Sequence, residues 1–434
     1  MANQSGSDRY LKSVEQLHRA EKVIPLGSQT FSKSRTQYPV GISPLYVDRA
    51  QGAEVWDIDG NCYVDLVSAL ASITLGYGDK VIAKQVKKQL KSGVSLSLPT
   101  ILESEVAEFI TELVPSAEMV RFGKNGSDAT SAAIRLARAH TGRDHVIVCG
   151  YHGWQDWYIG STTRNKGVPE DVSALTHSFR YNDIDSLQRM FDELPNKIAA
   201  VIMEPMNVDF PVSNFLESVK RVTHENRALL IFDETITGFR YANGGAQSLF
   251  GVSPDLSTFG KGIANGFPLS AIAGRRDVMM QMEEIFFSST FGGELLSLAA
   301  AKSVLNRYRT GDIPGQLAEI GTKLSVRVNE LILQFGLQDV LRLSGHPSWV
   351  FLNWSGNEKN SVDELRTLFM QEMFANGVLV LNTHNVTLAM DERILKRIYS
   401  AYEKSFAVLS KAVRSNTVRE VLLVEPSKPL FRIR

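Results

Sequence analysis

Between about residues 100 and 310 the chain alternates short, wholly apolar runs with longer amphipathic ones. The runs Val146-Ile147-Val148-Cys149, Ala199-Ala200-Val201-Ile202-Met203 and Leu229-Leu230-Ile231-Phe232 contain no polar residue. Strands of that kind are buried on both faces, so they predict a mostly parallel sheet with helices on both sides. Elsewhere the pattern differs. Residues 7 to 23 read as an amphipathic helix with Leu11, Val14 and Leu17 on one face. Gly- and Pro-rich sequence follows to about Pro44. Ala53-Glu54-Val55-Trp56-Asp57-Ile58 then alternates and runs into Asp59-Gly60, a hairpin-turn signal. From about 315 to 434 long helices dominate, with one strand at Trp349-Val350-Phe351-Leu352. The helix from Asp391 should bury Ile394, Ile398 and Phe406, and Asn376-Gly377 should stop the helix before it. The expected fold class is α/β. A large domain over 56–312 holds the mostly parallel sheet, and 1–55 with 313–434 forms a smaller α+β domain.

Lys plus Arg total 47 and Asp plus Glu total 47, so no net charge draws the chain to nucleic acid or an anionic membrane. Cys62 and Cys149 are the only cysteines, which predicts no disulfide framework and no cysteine-rich metal site, and fits a reducing cytoplasm. The first eight residues lack the apolar core of a secretory signal. No apolar run reaches the ~18 residues a membrane span needs. Asn125-Gly126-Ser127 and Asn353-Trp354-Ser355 fit the glycosylation pattern but read as chance without such a signal.

Chemistry concentrates at the ends of the apolar runs. Lys261 sits in Ser257-Thr258-Phe259-Gly260-Lys261-Gly262, and the buried run before it ends in Asp233. A glycine-flanked lysine following an aspartate-terminated strand is what pyridoxal phosphate requires. The lysine forms a Schiff base with the cofactor aldehyde, and the carboxylate keeps the pyridine nitrogen protonated. A nucleotide phosphate loop would need Gly where Asp255 stands and Ser or Thr where Gly262 stands, so that reading fails.

Weaker signals accompany the lysine. Gly126-Ser127-Asp128-Ala129-Thr130 opens a helix, whose free N–H groups suit a phosphate, although the same residues make an ordinary cap. Tyr151-His152-Gly153-Trp154 follows a strand end, where an aromatic ring can stack on a planar cofactor or merely pack at the rim. Met203-Glu204-Pro205 puts a carboxylate at another strand end. Ser289-Thr290-Phe291-Gly292-Gly293 offers a hydroxyl at a helix start.

In this order the motifs make the chain resemble the class III pyridoxal-phosphate aminotransferases, of fold type I. The likeness runs from about residue 20 to about 410. Its most specific parts are Asp233-Glu234-Thr235-Ile236-Thr237-Gly238-Phe239-Arg240 and Phe259 to Gly274. The resemblance implies that Lys261 is the Schiff-base lysine and proton shuttle, and Asp233 the partner of the ring nitrogen. It implies that Gly126 and Ser127 bind the phosphate, Tyr151 stacks on the ring, and Glu204 belongs to the cofactor site. Thr290 is implied to reach the phosphate of a neighbouring subunit, hence a homodimer. The partners expected are an amino donor such as glutamate and a carbonyl acceptor.

Within the family the resemblance is nearest to the glutamate-1-semialdehyde 2,1-aminomutase branch, which carries an apolar residue at the position of Ile236. Three departures argue for intermolecular transfer instead. The mutase's carboxylate-binding arginine is missing from Thr30-Phe31-Ser32-Lys33. The usual Asn-Ser-Gly-Thr-Glu reads Lys124-Asn125-Gly126-Ser127-Asp128. The acidic gate segment reads Asn382-Thr383-His384-Asn385. An uncharged mouth there suits a hydroxylated acceptor such as a keto sugar. Arg240, Lys33 and Arg35 are only candidates for a carboxylate clamp, each reading first as a surface or structural charge. A non-catalytic binding protein on the same fold is the other alternative, against which Lys261 and Asp233 both stand.

Overall fold

The computed structural model describes residues 8–427. These divide into two compact units, one of residues 80–316 and the other of 8–79 with 317–427.

The 80–316 unit is built on one seven-stranded sheet. Its strands are β1 (Met119–Gly123), β2 (His145–Cys149), β3 (Thr176–Ser178), β4 (Ile198–Met203), β5 (Leu229–Asp233), β6 (Leu256–Phe259) and β7 (Ser270–Gly274). They lie in the order β1-β7-β6-β5-β4-β2-β3. β7 runs antiparallel to both its neighbours, and every other pairing is parallel. The apolar runs make this sheet because successive side chains leave opposite faces and both faces are covered. Val146, Val148, Ala200, Ile202, Leu229 and Ile231 pack with Ala132, Ala133 and Leu136 of α1 (Gly126–Thr141) on one side. Ile147, Val201, Leu230 and Phe232 pack with Phe215, Val219, Leu187 and Phe191 of two helices on the other. Truncating one such wholly buried residue, as in Ile231→Ala, costs about 2–5 kcal/mol. A parallel sheet opens its crevice at the carboxyl ends of its strands. There stand Cys149-Gly150, Met203-Glu204, Asp233 and Gly260-Lys261.

In the other unit, strands Val47–Gln51, Glu54–Asp57 and Cys62–Asp65 form an antiparallel meander, which Val378–Leu379 joins in parallel. Asp59-Gly60 makes the expected turn, with Gly60 at φ 90° where a Cβ would be strained. Asp391 caps the helix Glu392–Ser415, which buries Ile394, Ile398 and Phe406. The helix Val362–Ala375 ends at Asn376.

Three expectations change. The N-terminal helix spans Leu11–Glu21 and buries Leu17, but Leu11 is 60% exposed. Residues 56–79 lie with the smaller unit, because their strand Cys62–Asp65 pairs with Val378–Leu379. The C-terminal part holds a three-stranded sheet of Leu341–His346, Trp349–Trp354 and Thr383–Asn385, where one strand was expected. Most of the supposed gate is thus a sheet-edge strand, Thr383–Asn385. His384 and Asn385 are buried, and Asn385 Nδ2 donates to Val67 O at 2.8 Å. The ground for a hydroxylated acceptor falls with it.

Candidate active site

Asp233 ends β5 with its carboxylate buried between β4 and β6. Oδ1 accepts from the Thr235 N–H at 3.1 Å and from Thr258 Oγ1 at 3.0 Å, Thr258 being its register partner on β6. Oδ2 lies 2.9 Å from His152 Nδ1. Burial alone would raise the Asp233 pKa, but the His152 ring first, and then Thr235, outweigh it and hold the group below the ordinary carboxylate value. An ionised carboxylate only accepts, so Nδ1 carries the proton. His152 is itself buried, parallel to the Trp157 ring on one side and met edge-on by Tyr158. Its backbone oxygen takes the Thr130 hydroxyl at 2.9 Å, which ties it to α1.

Lys261 follows β6 after Gly260 and starts a short 3-10 turn, Lys261–Ala264, at φ 42°. A left-handed lysine costs of order 1 kcal/mol or more and persists only where the surroundings hold it. Burial lowers its pKa, and Arg240 adds to that, while Glu204 and Asp233 oppose it. Glu204 is shifted the other way. Burial and then the Asp233 charge raise it, against His152, Asn207 and Lys261. The Asn207 amide donates to Glu204 Oε2. Gly150, at φ +109°, makes room for that carboxyl: a Cβ there would stand 2.7 Å from Oε2.

α1 supplies the third element. Asn125 caps it, and Asp128 Oδ2 takes the N–H groups of Lys124 and Asn125 at 2.9 and 2.7 Å. The N–H groups at Gly126 and Ser127 belong to the first turn and stay open, as helix geometry dictates. Ser127 Oγ accepts from Trp154 N at 3.3 Å, and Gly153, at φ +105°, leaves the space that Oγ occupies. A Cβ on Gly126 would meet Thr235 Cγ2 at 3.0 Å, and one on Gly260 would meet it at 3.3 Å. Thr235 thus wedges between the helix N-terminus and the lysine turn. Its Oγ1 is buried with no partner among the described residues.

The structure therefore brings Gly126, Ser127, Glu204, Asp233 and Lys261 together. Tyr151 adjoins them, 44% exposed, its ring edge-on to Tyr158 at 5.7 Å, and it feels the Asp233 charge. Thr290 is not among their contacts. It is exposed, beside exposed Phe286 and Phe291. Three residues the sequence reading assigned no role stand in the cluster: His152, Thr235 and Thr258. Each lay inside a quoted motif, but only the fold shows which neighbour of Tyr151 or Asp233 turns inward. Of the clamp candidates, Arg240 is wholly buried, Arg35 pairs with Glu21 at 2.5 Å, and Lys33 is exposed.

The family profile "Aminotransferase class-III" matches residues 37–395. The chain belongs to that family. It is 32% identical to the 3-aminobutyryl-CoA aminotransferase of Cloacimonas acidaminovorans (strain Evry), over 86% of this chain and 91% of that one. It is 38% identical to the glutamate-1-semialdehyde 2,1-aminomutase of Alkaliphilus oremlandii (strain OhILAs), over 83% and 84%. Its fold matches the Sphingopyxis sp. MTA144 FumI protein in its PLP internal aldimine form, with TM-score 0.87, 27% identity and 93% and 98% coverage. An omega-transaminase from Sphaerobacter thermophilus gives TM-score 0.82 at 25% identity, covering 92% and 97%. The protein is a pyridoxal-phosphate-dependent aminotransferase of fold type I. The cluster fits that cofactor: an ionised carboxylate at a strand end, a lysine of lowered pKa, a helix N-terminus with open N–H groups, and an unpartnered hydroxyl between them. Among the described residues no helix is long and apolar enough to cross a membrane.

Proposed function

We propose that the enzyme moves an amino group between two small molecules, from an amino-acid donor to a separate carbonyl acceptor, with Lys261 and Asp233 as its catalytic residues. The observation that carries this reading is the arrangement of buried His152, Asp233 and Glu204 around the half-buried Lys261. The bound cofactor supplies an electron sink for the bond broken at the substrate carbon. Asp233, held ionised, keeps a proton on the ring nitrogen. Lys261 Nζ, its pKa lowered by burial, takes the proton from the substrate carbon and returns it elsewhere, a service typically worth ~10²–10⁴-fold. Gly126 and Ser127 anchor the phosphate, Tyr151 covers the ring, and Glu204 holds a proton beside Lys261.

The active species in this reading is a homodimer in which Thr290 completes the partner's phosphate site. Exposed Leu96, Leu98, Ile101, Phe286 and Phe291 supply apolar surface for such an interface. An active monomer in sedimentation during turnover contradicts it. Cys62 and Cys149 are both free, which suits the cytoplasm.

Likeness to the aminomutases favours intramolecular transfer as the second reading. Lys33 offers no bidentate fork for a substrate carboxylate, and residues 383–385 form a strand with His384 and Asn385 buried, so neither a clamp nor a gate supports it. The test incubates the enzyme with glutamate-1-semialdehyde alone, and separately with glutamate plus carbonyl acceptors. Turnover only with a separate donor and acceptor supports the proposal. Efficient 5-aminolevulinate formation from the first mixture overturns it.

A further inference from the structure

Lys124 stands just before the turn Gly126-Ser127, and Glu294 caps the helix α2 (Leu295–Thr310), which packs against the 3-10 turn of Lys261. Lys124 Nζ lies 3.1 Å from Glu294 Oε2 and 3.4 Å from Ser297 Oγ. The two side chains are only 16% and 13% exposed. A pair this enclosed is little screened by salt or water, unlike the surface pairs of the chain.

Both ends are fixed independently of the pair. On the Lys124 side, its backbone N–H is held by Asp128 in the capping box of α1. On the other, Glu294 Oε1 accepts from Leu296 N at 2.7 Å, and Oε2 from Ser297 N and Oγ at 3.1 and 2.6 Å. Burial would raise the Glu294 pKa, but Ser297, Leu296 and Lys124 outweigh it, so the carboxylate is ionised. The segment before it is equally tied: Glu294 N donates to Phe291 O at 3.2 Å and Gly292 N to Ser289 O at 3.0 Å. A Cβ on Gly293 would stand 2.8 Å from the Glu103 carboxyl carbon, so a side chain there would have to displace that group. Thr290 is thus carried on a short, braced loop four residues ahead of an anchored carboxylate.

We propose that the Lys124–Glu294 pair is a positioning clip that sets the phosphate turn of this subunit against the loop carrying Thr290, and so determines how firmly the cofactor is retained. This rests on the cofactor and dimer reading above. Because each member is held by its own helix cap, the pair adds nothing essential to either helix. What it fixes is the separation of the two. One clip then links the turn that holds this subunit's phosphate to the threonine offered to the other.

The test follows cofactor release from the holoenzyme after dilution into cofactor-free buffer, by loss of the visible band. Lys124→Met should speed release about tenfold, within the range for coupled neighbours. Glu294→Gln, which keeps an oxygen for the Leu296 N–H but gives up the one Lys124 shares with Ser297, should speed it at least as much; adding Lys124→Met to it should speed release no further, and Lys124→Arg should stay near wild type. The thermal midpoints of the cofactor-free variants should not follow the release rates. Unchanged release, additive effects in the double variant, or release that tracks loss of cofactor-free stability would each overturn the clip. If wild-type protein takes up no pyridoxal phosphate, the reading beneath it fails instead.

Discussion

His152 Nδ1 and Asp233 Oδ2 meet at 2.9 Å, His152 just past the end of β2 and Asp233 closing β5, although the two residues are 81 positions apart in the chain. Hydrogen bonds to a charged partner contribute about 1.5–3 kcal/mol. Without the imidazole, burial would push the Asp233 pKa up and weaken its hold on the ring proton. His152→Ala should therefore lower kcat about ten- to a hundredfold, the rate equivalent of that loss. His152→Asn, which keeps a donor, should recover part of it. Steady-state kinetics of both variants, with a titration of the cofactor absorbance, check this. Wild-type kcat in the alanine variant would remove His152 from the account.

Gly153 is required by its neighbour. At φ +105° its backbone disfavours any side chain, and a Cβ would overlap Ser127 Oγ. Gly153→Ala should displace Ser127 from the helix N-terminus and weaken cofactor affinity about tenfold or more, the equivalent of one lost hydrogen bond to a charged group. Equilibrium titration with pyridoxal phosphate measures it, and an unchanged Kd would contradict the placement of Ser127.

Glu204 should show itself in the pH profile. Its pKa is raised by burial and the Asp233 charge, so it stays protonated to a higher pH than an ordinary carboxyl. As pH rises through that value, Glu204 gains a negative charge, which favours the protonated form of Lys261. An amide cannot ionise. In Glu204→Gln, Lys261 therefore loses its proton at lower pH, and the ascending limb of kcat against pH should move down. A limb that stays or moves up would show that the two groups are not coupled.

Much of this was legible beforehand, for identifiable reasons. β2, β4 and β5 announced themselves because burial on both faces removes every polar residue from the run. Lys261 and Asp233 were singled out because the aspartate closes an apolar run and the lysine stands between two glycines, and the structure brings both to one crevice. His152 and Thr258 were not, since an inward-facing His or Thr has no local signature; their role exists only through register and through contact across the sheet. The misplaced boundary at 56–79 has the same origin. The strand Cys62–Asp65 belongs where it does because of Val378–Leu379, more than 300 residues away, and nothing near Cys62 records that. Segment 382–385 looked like a polar mouth because Asn and His are usually exposed. Here the Asn385 amide donates to Val67 O and His384 Nε2 meets the Tyr402 hydroxyl at 2.5 Å, so both residues are held inside the fold.

The central claim is that Lys261 bonds covalently to the cofactor. It is tested most directly by incubating the protein with pyridoxal phosphate, reducing with borohydride, and mapping the labelled peptide by mass spectrometry. The account predicts one stoichiometric label, on Lys261, lost together with the visible band and amino-transfer activity in Lys261→Ala. A label on another lysine, or an alanine variant that turns over normally, would contradict it.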